Sequence, residues 1–138
     1  MSAIGLALRT YLSGRAGYSA TIPGGISPEV AGVGSSMPYA VYQLTSATPQ
    51  MQLSGTPAVR TERVQVTVVS TTRASAAVVG DWIRAQIIAS PGRQTIGSTL
   101  VHHWRVEDVS HLAEVVGDGD DEPLRVTVLD VHGTYQES

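Results

Sequence analysis

Near the start of the chain apolar residues recur at Ile4, Leu8, Tyr11 and Leu12, the i, i+4, i+7, i+8 spacing that lays one stripe along a helix. Ser2 stands where an N-cap is wanted, and Ser13-Gly14 supplies a stop. The period is then lost. From Gly14 to Ser36 the chain is rich in Gly, Ser and Pro, and Ile22-Pro23 and Ser27-Pro28 push the backbone toward extended geometry, which predicts a long surface connection with room for one short strand.

A period of two follows. Met37 to Ser46 reads as a strand with Tyr39 and Val41 on one face and Ala40, Tyr42 and Leu44 on the other, so it is expected to be covered on both sides. Val59 to Ser70 sets Val64, Val66 and Val68 against Arg63, Gln65 and Thr67. Thr71 or Thr72 then caps a second helix that runs to about Ser90, with Ala76, Val79, Ile83 and Ile87 on one stripe, Trp82 beside it, and Arg73, Asp81 and Arg84 opposite. Pro91-Gly92 ends it. Two more strands are expected, Thr99 to Val109 with Leu100, Trp104 and Val106 inward, and Pro123 to Tyr135 with Leu124, Val126 and Val128 inward. On that assignment Leu129 and Val131 fall on the face that Arg125 and Thr127 give to solvent, which marks them as a candidate subunit interface.

The resulting order, α-β-β-α-β-β, predicts a single α+β domain over residues 1–138: a mostly antiparallel four-stranded sheet, two helices packed on one face, and long hairpin loops. The length of 138 residues suits one core. Phenylalanine is absent, so Val, Leu, Ile and Ala must build that core with the two tryptophans and a few tyrosines. No apolar run is long enough to span a bilayer, and the apolar start carries Arg9 without a basic n-region, so neither membrane nor export is expected.

Charge and residue usage narrow the chemistry. With no cysteine there is no disulfide framework and no thiolate nucleophile or ligand. All nine basic residues are arginine, against twelve acidic ones, and no segment gathers the density of positive charge that phosphate contacts require. The absence of lysine removes the phosphate loop, the Schiff base and the Ser-Lys dyad, and no Gly-x-Ser-x-Gly elbow is present. Pro23-Gly24-Gly25 and Gly32-Val33-Gly34 lack the strand-then-helix setting of a dinucleotide fingerprint.

The run Gly117 to Glu122 places Asp118, Asp120, Asp121 and Glu122 close together, as in a calcium loop. Counted from Asp118, however, the sixth position is Pro123 and the twelfth is Leu129, which excludes an EF-hand and leaves a solvated acidic hairpin tip. His102 and His103 are adjacent on a strand and face opposite ways, so one semi-buried and one exposed histidine are expected rather than a metal pair with His111. No catalytic, cofactor or metal set emerges. What stands out instead is the uncharged connection from Ala47 to Pro57, which holds Met51 and Leu53 and is longer than a tight hairpin needs, a candidate docking loop for a partner.

Taken together, the helix Ile4 to Leu12, the Pro/Gly connection, Met37-Pro-Tyr-Ala-Val-Tyr-Gln43, Arg63-Val-Gln-Val-Thr-Val68 and the helix after it make the chain resemble the tail-completion or tail-terminator proteins of long-tailed bacteriophages. The likeness covers nearly the whole chain, and its strings are structural rather than catalytic. It implies a non-enzymatic virion protein at the head-proximal end of the tail, assembled in the host cytoplasm. There a homo-oligomeric ring, usually a hexamer, ends tail-tube polymerisation. The implied partners are the tail-tube protein and a neck or head-completion protein, with DNA passing through the ring without specific binding. Alternatives are a neck or head-completion protein of the same particle, a small cytoplasmic α+β binding module with its ligand near Arg63, His103, Arg105 and Arg125, and a small metal-assisted hydrolase using His103, His111 and the Asp118 cluster.

Overall fold

The computed structural model describes residues 3–28, 37–50, 59–90, 92–114 and 124–137. Helix α1 (Ala3–Ser13) and helix α3 (Arg73–Ala89) form where the 3.6-residue period predicts them, and a one-turn helix α2 (Tyr18–Thr21) lies between. Thr72 caps α3, its Oγ1 accepting from the Ser75 N–H at 3.1 Å. The proposed Ser2 cap lies outside the described residues.

The strands are β1 (Ile26–Pro28), β2 (Tyr39–Gln50), β3 (Val59–Ser70), β4 (Gln94–Ile96), β5 (Thr99–Glu114) and β6 (Leu124–Glu137). They form one sheet in the order β1-β2-β3-β6-β5-β4, in which β1 pairs parallel to β2 and every other pair is antiparallel. The expected four-stranded antiparallel sheet is therefore the centre of a six-stranded mixed one. The two added strands are three residues each, too short to show a period, and each pairs with one corner of a long neighbour. β2 also continues to Gln50, pairing Ala47 with Glu62 and Gln50 with Val59, so the first residues of the expected loop are strand.

Both long helices lie on one face of the sheet. Ile4, Leu8 and Leu12 of α1 and Val79 and Ile83 of α3 are buried with Val64, Val66 and Val68 of β3. Leu129 and Val131, expected at a subunit interface, are fully buried in this core: the facing of β6 is the reverse of that expected. Thr127, Leu129, Val131, Gly133 and Tyr135 point to the helices, and Val128 and Asp130 point away. The cause is the close approach of the helices. A Cβ on Gly133 would lie 2.5 Å from Cδ1 of Ile4, and a Cβ on Gly80 of α3 would lie 2.7 Å from Cγ2 of Thr127. Thr127 thus packs its methyl group under a helix instead of meeting water.

β5 departs from simple alternation as well. A bulge between Val101 and His103 breaks the period, so Val101 and Trp104, three apart, both reach the core, whereas Leu100 was the residue expected inward. Trp104 is held there by its Nε1–H donating to Ser90 Oγ at 2.7 Å and by an edge contact with Tyr11, ring centres 5.3 Å apart. Tyr11 donates in turn to the Gln86 carbonyl at 3.0 Å, which ties α1 to α3.

Candidate interaction surface

The face of the sheet opposite the helices is built by cross-strand rows. In one row Ser46, Arg63, His132 and Arg105 stand side by side, in the next Gln43, Gln65, Asp130 and Asp108, and in a third Val41, Thr67, Val128 and Ser110. At the end of this ladder Val69 pairs with Val126, both buried. The face thus grades from charged to apolar along the strands, and among the described residues no helix covers it.

Its electrostatic centre is Arg63 and Asp130. The guanidinium grips the carboxylate with Nε at 3.1 and 3.0 Å from the two oxygens and Nη2 at 2.6 Å from Oδ2. That hydrogen bonding holds the Asp130 carboxyl below the usual carboxylate range against a smaller opposing effect of burial, and His132 Nε2, 3.4 Å from Oδ2, pulls the same way. The Arg63 guanidinium is correspondingly pushed up. Beside this pair is a shallow depression of about 270 Å³ lined by Thr45, Ser46, Gln65 and Val128 as well as the two charged residues. Arg105 pairs with Glu107. A positive cluster open to a ligand is therefore not what Arg63 and Arg105 form: each already holds a carboxylate.

His102 is partly buried and His103 exposed, with His102 Nε2 3.4 Å from Gln136 Oε1. Among the described residues no three His, Asp or Glu side chains gather in a way that would hold a metal ion, and no helix is long and apolar enough to cross a membrane. Met51 and Leu53, and the acidic residues Asp118, Asp120, Asp121 and Glu122, lie outside the described residues.

One buried polar group escaped the sequence reading. Glu62 shares the helix-covered face of β3 with Val64 and is only 4 % exposed. Its Oε1 accepts the Ile4 N–H at 3.0 Å and its Oε2 the Tyr135 hydroxyl at 3.1 Å, so a carboxylate sits at the N-terminus of α1, where the helix dipole favours negative charge. A signal was available, since strict alternation already places Glu62 on the side of Val64, Val66 and Val68.

The edges complete the surface. β1 pairs only with Ala40 to Tyr42 of β2, and β4 only with Thr99 to Val101 of β5. Among the described residues the rest of each long strand has no partner on its outer edge. On β2 this stretch begins with Gln43, Leu44, Thr45 and Ser46, all exposed.

No curated protein matches the sequence. Among solved structures the chain is similar to one from the virion of a native gene transfer agent (GTA) particle, with a TM-score of 0.60 at 12 % identity over 96 % of this chain and 94 % of that one, a likeness of fold. The sequence itself matches the family described as tail completion protein gp17 over residues 6–135, nearly its whole length, and the chain belongs to that family of phage tail structural proteins.

Proposed function

We propose that copies of this protein close into a ring, six in number, that caps the head-proximal end of the tail tube, ends its polymerisation and presents a surface to the neck or head-completion protein. The observation that carries this reading is the family match over residues 6–135. The likeness of fold to a chain from a GTA virion supports it, since that chain is also part of an assembled particle. The protein acts by contact, not by catalysis. In this reading it is assembled in the host cytoplasm and carried in the virion, and DNA traverses the ring without specific binding. The formal charge of −3 per copy, multiplied around a ring, keeps phosphates from adhering to it.

The connection between β2 and β3 takes an outward contact. Met51 and Leu53, in the uncharged stretch after β2, dock on the tube or the neck, and the acidic run Asp118, Asp120, Asp121 and Glu122 stays in water. A reconstruction of the assembled tail by electron microscopy tests the reading. A closed ring of this chain at the head-proximal end of the tube is expected, and particles made without the protein should carry tubes of uncontrolled length that fail to join heads. Tails of normal length and infectivity in its absence would refute it.

A further inference from the structure

Among the described residues the sheet ends on two long edges without strand partners, on opposite sides of the sheet, and these edges fit one another. The segment of β2 from Gln43 onward and the segment of β5 from His103 onward each leave a row of backbone N–H and C=O groups without a partner among the described residues. Such a row is a template for another strand, and monomeric proteins usually blunt it with charge. On β2 the stretch from Gln43 to Gln50 holds no charged residue at all. Leu44 within it is 41 % exposed although it sits on the helix side of the sheet, level with Val64.

Three features match the other edge to this one. The first is direction: β2, β3, β6 and β5 alternate in sense, so β2 and β5 run opposite ways, and when rotated copies continue the sheet in one sense the two edges meet antiparallel. The second is shape on the helix side. Beside the β5 edge lies an open depression of about 300 Å³ whose lining includes Ile87, Ile88, Trp104 and Val106, and Ile88 is 68 % exposed. The third is charge. The β5 edge carries Arg105, Glu107 and Asp108, and opposite the uncharged β2 edge these meet no like charge in any register, whereas β5 against β5 would bring the acidic pair toward its own copy.

We propose that the free edge of β2 in one copy pairs antiparallel with the free edge of β5 in the next, seating Leu44 beside Ile88 and Trp104. The contact is heterologous, using two different surfaces of each copy, which is what a cyclic ring requires. It rests on the ring reading above and names the joint within it. Thr45, whose hydroxyl is already bound to the Arg63 carbonyl at 2.8 Å, marks an irregularity in β2 that limits pairing on its far side and so helps fix the register.

The absence of native cysteine makes a direct test simple. Ser46→Cys or Gln43→Cys on β2 is combined with Arg105→Cys, Asp108→Cys or Ser110→Cys on β5, all on the helix-free side, and assembled tails are oxidised. A disulfide needs Cβ atoms within about 4.5 Å, so one register is expected to yield a ladder of covalent multimers ending at the ring size, with none from single-cysteine chains. Adding Leu44→Lys to that pair should abolish the ladder. A ring seen by electron microscopy with no ladder from any pair overturns the proposed joint and leaves the ring standing. Dimers from Ser46→Cys alone overturn it in favour of β2 meeting β2, and a single copy in the particle overturns both joint and ring. A ladder that persists with Leu44→Lys overturns the seating of Leu44.

Discussion

Along the β3–β6 ladder the chain builds two faces from similar side chains and uses them differently. On the helix side Val64 opposes Val131 and Val66 opposes Leu129, all fully buried. On the other side Val69 opposes Val126, also buried, yet further along the same strands Val128 and Asp130, two and four residues from Val126, and Arg63, six from Val69, meet solvent. Apolar content therefore does not distinguish the faces. What distinguishes them is the placement of small residues: Gly133 lies against Ile4 and Gly80 over Thr127, and these contacts let two helices approach one face only.

The largest break in this comparison comes from truncating the buried side. Leu129→Ala removes a side chain with no solvent exposure and should cost about 2–5 kcal/mol, the range for large-to-small changes in a core that cannot fully collapse. Val128→Ala, its partly buried neighbour facing the other way, should cost well under half as much. Denaturant titrations of the two variants give the answer, and equal losses would mean that the faces are not energetically distinct.

Overpacking probes the same contrast from the opposite direction. In Gly133→Ala the new Cβ would meet Cδ1 of Ile4 at 2.5 Å and its Cγ1 and Cγ2 at 2.9 Å, too near on several sides for one rotamer change to relieve. A loss of about 1–3 kcal/mol is expected, partly recovered in the double variant with Ile4→Ala because the two changes share one space. Additive losses would show that α1 does not rest on Gly133.

Glu62→Ala sharpens the comparison by testing a polar group on the apolar face. It removes the acceptor that the Ile4 N–H and the Tyr135 hydroxyl now share, and losing a buried hydrogen-bond partner costs about 1–3 kcal/mol unless water enters. Glu62→Gln keeps an acceptor and should lose less. Hydrogen exchange at the first turn of α1 distinguishes a local effect from a global one: faster exchange there, ahead of the sheet, is the expected result.

Much of this fold was legible from periodicity because its long elements satisfy one rule throughout. The stripe Ala76, Val79, Ile83, Ile87 and the alternation Val64, Val66, Val68 needed no tertiary information, and β3 begins and ends where the pattern does. β6 failed for a definite reason. It carries apolar residues on both faces, so alternation does not choose a side, and Thr127 is polar by type yet turns its methyl group toward Gly80. β1 and β4 were too short to show a period, and the bulge near His102 was invisible because it depends on pairing with β6. Of the candidate interaction surface, Arg63 was seen and its partner was not: Asp130 lies far along the chain and reaches it only through the strand register.

The smallest effect belongs to that ion pair, and its signature is a pH dependence. Arg63 is half-exposed and solvent screens the contact, so at neutral pH Asp130→Asn should differ little in stability from a nearby surface substitution such as Gln65→Ala. The Asp130 carboxyl is held below its ordinary value in the folded protein, chiefly by the Arg63 hydrogen bonds. Between the ordinary carboxylate pKa near 3.9 and that lower folded value, the unfolded chain takes up a proton that the folded one refuses. The contribution of Asp130 is accordingly complete above about pH 4 and disappears as the pH falls through the folded value. Unfolding curves for the wild type and Asp130→Asn should run at a constant separation from neutrality down to that point and then converge. Convergence beginning well above it would mean that a group other than Asp130 controls the acid limb. A separation that persists to the acid extreme would mean that the substitution acts through packing against Gln65 and Asp108 in the neighbouring strands and not through charge.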